Sequence, residues 1–232
     1  MSAAFRTLIS FLFIPLNIAV LFSFSVFSPI LSLKSGPIFF FSGAIIFAVL
    51  YVRFPEFFRK PYILAHELSH AMAGIILGNK IKKIKIKSDS GYVSFGAKPD
   101  FITSLAPYIF PFYCALFALI FFAISLFADI KHWRNIFLAA QGFFICFHAA
   151  NTISVMTSDL QSDFKKTKSV FLSYMAVFFL NLIFFAFIIK MLFPEKTNLT
   201  LFFRESFSNL KSISAFMFSS SLKLLSLIKE IL

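Results

Sequence analysis

The sequence predicts an all-α polytopic membrane protein with about six transmembrane helices, a small β-hairpin after the third, and a C-terminal amphipathic helical tail. Three observations carry that expectation. Of the 232 residues, 59% are hydrophobic and the mean hydropathy is +0.87, above the roughly 45–50% apolar content of soluble domains. The apolar residues gather into runs near the length of about 20 residues that a helix needs to cross the hydrocarbon. The bases, 22 Lys and Arg against ten acids, lie mostly between those runs. That distribution suits anionic headgroups and argues against nucleic acid as a partner.

The apolar runs are Thr7 to Leu33, Pro37 to Val52, Pro61 to Leu77, Phe101 to Phe127, Ile136 to Met156 and Val170 to Phe193. The first has no small-residue cleavage site after a short apolar core, so it reads as an uncleaved span. Pro107 and Pro111 interrupt the start of the fourth, where missing backbone donors favour a kink or an unwound turn. From about Leu201 the chain mixes Leu, Ile and Phe with Arg204, Lys211, Lys223 and Lys229, the pattern of a helix lying on a membrane surface. Cys114 and Cys146 both sit in apolar runs and read as packing residues, not as a disulfide framework.

Between the third and fourth runs the period changes. Ile84 and Ile86 alternate with Lys83, Lys85 and Lys87, Ser88 to Gly91 supplies a turn, and Tyr92 to Phe95 follows as a second strand. A hairpin over Ile81 to Phe95 is expected. The chain divides into N-terminal spans (1–60), a core holding the hairpin and the polar motifs (61–193), and the tail (194–232).

The chemistry-bearing stretch is His66-Glu67-Leu68-Ser69-His70, inside the third run. Ionisable groups within a span are costly unless paired or bound, so each marks a candidate site. Glu67 is the only acid within the apolar runs. On a helix, His66 and His70 project from one face, as two ligands of a tetrahedral zinc require, and Glu67 stands ready to take a proton from zinc-bound water. The bland alternative is a chance match with two hydrogen-bonded core histidines.

Zinc needs a third protein ligand, for which His148, Asp159 and Asp163 are the candidates. The fifth run carries a polar stripe of Gln141, His148, Asn151, Thr152 and, if the helix continues, Asp159. That stripe faces the bundle interior. His148 and Asn151 also suit a supporting role, orienting a ligand or the water.

These residues resemble the site-2-protease-like intramembrane zinc metalloproteases over roughly Pro61 to Phe193: HELSH on a membrane helix, a following hairpin, and an aspartate after a polar-striped helix. In that family the third ligand usually lies in an NxxPxxxxDG-type segment. Here Asn151 precedes Asp159 by the same spacing, with Ser154 for the proline and Leu160 for the glycine. A divergent subgroup carries it in a Gln-x-Asp segment, matching Gln161, Ser162 and Asp163, so both aspartates stand as candidates.

The resemblance implies hydrolysis of peptide bonds in transmembrane or membrane-proximal segments, with Zn2+ as cofactor. The partners implied are a membrane protein or peptide substrate and the lipid bilayer. It also implies a multi-pass protein whose site faces the cytoplasm, with a bacterial inner membrane as the expected location. The lysines at 80, 82, 83, 85 and 87 agree with a cytoplasmic side. Because a helix hides its peptide bonds, substrate must unwind, and the hairpin edge is expected to hold it through Ile84, Ile86, Tyr92 and Val93. A transporter would show internal repeats or paired broken helices, which are not found. A non-catalytic metal-binding relative would tolerate loss of Glu67.

Overall fold

The computed structural model describes residues 2–32, 36–157 and 162–231. In chain order the elements are α1 (Ala3–Phe22), running into a 3-10 segment (Ser23–Ser32), α2 (Gly36–Arg53), α3 (Pro55–Ile76), β1 (Ile81–Ile86), β2 (Gly91–Phe95), α4 (Phe101–Ile109), α5 (Phe112–Ser125), α6 (Arg134–Thr157), α7 (Ser162–Lys166), α8 (Val170–Leu192) and α9 (Leu199–Ile231). The strands pair antiparallel, Ile84 opposite Val93 and Ile86 opposite Gly91, with a bulge between Ile81 and Lys83.

Four helical stretches among the described residues are long and apolar enough to cross a bilayer: Ala4–Ser32, Gly36–Arg53, Lys131–Thr157 and Val170–Leu192. The pair α4 and α5 makes a fifth if counted as one span, although it bends by 71° at its break. Of the expected six spans, length and composition bear out four, or five with the bent pair counted as one. The difference is α3, which has 22 residues but carries Glu56, Arg59, Lys60 and Glu67 within them. The bend lies where the two prolines were noted: Phe110 turns extended ahead of Pro111, which holds the N-cap of α5.

The chain forms two compact units, residues 1–32 with 174–232, and residues 33–173. In the first, α9 packs on α1 and the 3-10 segment. Phe202 is fully buried between the rings of Phe24 and Phe27, with centroids 5.2 and 5.1 Å away. Asn209 donates to Ser23 Oγ at 3.0 Å, and Asn17 donates to the Met175 carbonyl at 3.1 Å. The start of the tail is thus core, whereas Phe216, Met217, Phe218 and Leu222 further along it are exposed.

The second unit is built on close contact of α2 with α6. A Cβ at Gly43 would collide with the Ala139 carbonyl, and one at Gly142 with the Phe40 carbonyl. Small residues let membrane helices approach until their backbones touch, where dispersion contact is greatest. Beside this seam Phe47, Phe58 and Phe147 form a buried aromatic cluster with Tyr51, Tyr62, Tyr113 and Phe143 around it. The cluster anchors the first half of α3. Tyr113 adds a hydrogen bond from α5 to the Pro61 carbonyl at 2.8 Å.

Helix α3 starts with Pro55 at its first position and Glu56 in its first turn, both favoured there. It ends in a Schellman turn. Gly78 takes φ +77, its N–H bonds to Ile75 O, and Asn79 N–H bonds to Gly74 O at 2.8 Å. Asn79 then bridges both ways to Ala97, accepting from its N–H at 3.1 Å and donating to its carbonyl at 3.2 Å. The hairpin is therefore tied to the helix at its base. Gly142→Val should overpack the α2–α6 seam and cost about 1–3 kcal/mol, read as a lowered unfolding midpoint in detergent, while valine at the exposed Ile45 position should change the midpoint little.

Candidate active site

On α3 the i, i+4 spacing of His66 and His70 places the two rings 4.8 Å apart, edge to face. Asp163, on the short helix α7, reaches them from the far end of α6. Its Oδ2 lies 3.2 Å from His66 Nε2 and 3.3 Å from His70 Nε2. Among the described residues these three form a group whose ligand atoms all lie within 4.8 Å of one another. Asp159 lies outside the described residues.

Hydrogen bonding fixes what that cluster can accept. His70 Nδ1 is 2.7 Å from the Thr103 carbonyl, and a carbonyl only accepts, so Nδ1 carries the proton. In the neutral ring, Nε2 is then a bare acceptor pointed at a carboxylate oxygen. Two acceptors in that contact repel unless positive charge lies between them, either a second ring proton or a metal cation. His66 Nδ1 is similarly engaged, 3.3 Å from the Tyr62 hydroxyl. Ligands about 2.0–2.2 Å from a tetrahedral zinc stand about 3.3–3.5 Å apart, which the 3.2 and 3.3 Å separations nearly match. The donor set of two imidazoles and a carboxylate suits zinc, with all three ligand atoms within 4.8 Å of one another.

The surroundings hold each ligand. Asp100 caps α4, accepting from Thr103 N–H at 2.9 Å and from Thr103 Oγ1 at 2.8 Å, and so steadies the carbonyl that orients His70. Tyr108, buried on α4, donates to Asp163 Oδ2 at 3.0 Å. Lys166 donates to Asp163 Oδ1 at 2.8 Å. Glu67 is 7% exposed and lies against the hairpin. A Cβ at Gly91 would come within 2.5 Å of Glu67 Cγ and 2.9 Å of its Oε1. Only glycine lets the start of β2 lie over that carboxylate.

A cleft of about 470 Å³ opens on the cluster. His66, Glu67, His70 and Asp163 line it together with Gly91, Tyr92, Val93 and Phe95 of β2. Of the four expected substrate-holding residues, Tyr92 and Val93 face the cleft. Ile84 and Ile86 lie on β1, paired with Val93 and Gly91, and are not in the lining. His148 and Asn151 line instead a small cavity of about 20 Å³ on the other side of His66, with Tyr62, Ser69 and Thr152. Asn151 donates to the Phe147 carbonyl of its own helix at 2.7 Å. Gln141, from the same stripe, is spent on packing: it is fully buried and exchanges hydrogen bonds with Cys114.

Residues 40–119 match the family model described as Peptidase M50B-like. The match covers about a third of the chain and supports a site-2-protease-like reading of that stretch. Peptidases of this family are generally metallopeptidases, in keeping with the metal-compatible cluster. The matched stretch holds His66, Glu67, His70 and the hairpin, and stops short of Asp163 and α7. No curated protein and no solved structure matches the chain.

Sequence reasoning did not single out Thr103, Tyr108, Lys166 or Gly91. Lys166 had a signal, three residues beyond Asp163 and so on the same helical face. Tyr108 was a lone hydroxyl between two prolines. A supporting backbone carbonyl such as that of Thr103 has no signature at all. At Asp100, burial alone would raise the carboxyl pKa, but the hydrogen bonds from Thr103 outweigh it and hold the pKa below the usual carboxylate value. A carboxyl lowered on folding contributes stability above its unfolded pKa of about 3.9, lost as pH falls through the lower folded value. The stability excess of wild type over Asp100→Asn should stay constant above about pH 5 and shrink below about pH 4, as followed by acid unfolding in detergent.

Proposed function

We propose that the chain is an intramembrane zinc metalloprotease hydrolysing peptide bonds of transmembrane or membrane-proximal substrate segments. The observation that carries this reading is the meeting of His66, His70 and Asp163 in one cleft with Glu67. The family match and the four apolar helices support a membrane-embedded peptidase.

When bound, zinc would polarise the scissile carbonyl and bring the pKa of water to about 7. Holding the metal falls to His66, His70 and Asp163. Glu67, beside them on α3, takes the proton of the attacking water and returns it to the leaving amine. Thr103 and Tyr62 orient the two imidazoles, and His148 and Asn151 back His66 from the cavity behind it. Among the described residues β2 pairs only with β1, and its residues Gly91, Tyr92, Val93 and Phe95 line the cleft. An unwound substrate strand adds there by main-chain hydrogen bonds, with Tyr92 and Val93 contacting its side chains. The substrate is a membrane protein or peptide, and the site faces the cytoplasm of a bacterial inner membrane, a reading that the lysines of β1 support.

The test is metal content and cleavage by the full chain purified in detergent. About one zinc per chain is expected, lost in His66→Ala and Asp163→Ala and retained in Asp159→Ala. Glu67→Gln should keep the metal and lose activity by roughly 10²–10⁴-fold. Loss of zinc in Asp159→Ala but not in Asp163→Ala would move the third ligand to Asp159. A folded wild type that takes up no zinc on reconstitution would defeat the reading.

A further inference from the structure

We infer that Lys166 and Tyr108 are positioning residues that restrict Asp163 to ligation through Oδ2 alone, and so keep one coordination position free for chemistry. This rests on the metalloprotease reading above. A carboxylate has two oxygens and about four lone-pair sites, and a flexible aspartate can offer both oxygens to one metal. With two histidines and a water, a second oxygen would raise the shell from four to five and occupy the place that a substrate carbonyl needs.

Here the two oxygens are separated by their partners. Oδ1 is held by the Lys166 ammonium at 2.8 Å, a charge-assisted bond of the stronger kind. Oδ2 takes the Tyr108 hydroxyl at 3.0 Å on one side and faces the two imidazole nitrogens on the other.

The two restraints come from different directions. Lys166 lies three residues after Asp163 on α7 and reaches back to it with a half-exposed side chain. Tyr108 comes from α4 and is 1% exposed. Its ring is set against His66, centroids 5.4 Å apart, and Phe164, centroids 4.8 Å apart. The hydroxyl therefore has little freedom to leave Oδ2. Rotation of the carboxylate toward two-oxygen ligation would break both bonds. An ion pair serving only the surface would add little to stability and would leave the metal unaffected.

The full chain in detergent, loaded with Co2+ alone, separates these roles, because visible absorption of cobalt is strong in four-coordinate sites and weak at higher coordination. Wild type should bind about one cobalt with a strong band. Lys166→Met should bind it with a band weaker by about twofold or more as Oδ1 swings in, and Lys166→Arg should restore the band. Tyr108→Phe, which removes only the hydroxyl, should weaken cobalt binding about tenfold. A wild-type band in Lys166→Met, or wild-type affinity in Tyr108→Phe, would overturn the assignment while leaving the protease reading intact. Failure of wild type to take up cobalt would overturn both.

Discussion

One carboxylate oxygen facing two imidazole nitrogens at 3.2 and 3.3 Å is the contact on which the second unit depends. With His70 Nδ1 bonded to a carbonyl, the arrangement is electrostatically sound only with positive charge at its centre. In a chain this apolar such a centre is expensive, and the surrounding structure offsets the cost by giving each polar atom a partner. Thr103 and Tyr62 take the outer nitrogens of the histidines, and Lys166 takes the outer oxygen of the aspartate. Asp100 fixes Thr103 in turn. These partners come from α3, α4, α7 and the turn before α4, so the site records how those elements are packed.

Much of this was legible in the residues because the signals were periodic. HELSH has a spacing that only a helix brings to one face, and the Lys-Ile alternation from Lys83 to Lys87 has the period of a strand. The apolar runs located the long helices to within a few residues. The span count is less legible at α3, whose apolar residues gather toward one end. Its first turns are charged, and tertiary contacts with the aromatic cluster of Phe47, Phe58 and Phe147 hold the helix instead. The choice between β1 and β2 as the face toward the cleft was also hidden. Both strands alternate, and the matter is decided by Gly91, whose missing side chain lets β2 lie on Glu67.

The polar stripe of α6 teaches a related lesson. Helical periodicity correctly gathers Gln141, His148, Asn151 and Thr152 on one side, but a shared side is not a shared environment. Gln141 meets Cys114 of α5, while His148, Asn151 and Thr152 border a cavity behind His66. Along a helix each turn advances about 5.4 Å, so residues two turns apart on one stripe meet different neighbours. Periodicity supplies direction, and only packing supplies depth.

The covalent nearness of motif and hairpin gives the cleft its geometry. Helix α3 ends at Ile76 and β1 starts at Ile81, with Gly78 in the left-handed region and Asn79 pinned to Ala97. The helix that presents His66, Glu67 and His70 thus also sets the height and tilt of the strand pair over them. Phe95 strengthens the coupling by lying where a side chain at Gly74 would otherwise be. Because two glycines on opposite elements, Gly74 and Gly91, remove the bulk between helix and hairpin, β2 approaches closely enough to share one cleft with the carboxylate of Glu67. A β strand held at that distance shares its cleft with the metal-compatible cluster, so Tyr92 and Val93 border the same space as Glu67 and the histidines. The placing of the strand and the placing of the metal-compatible side chains are therefore set by the same short turn.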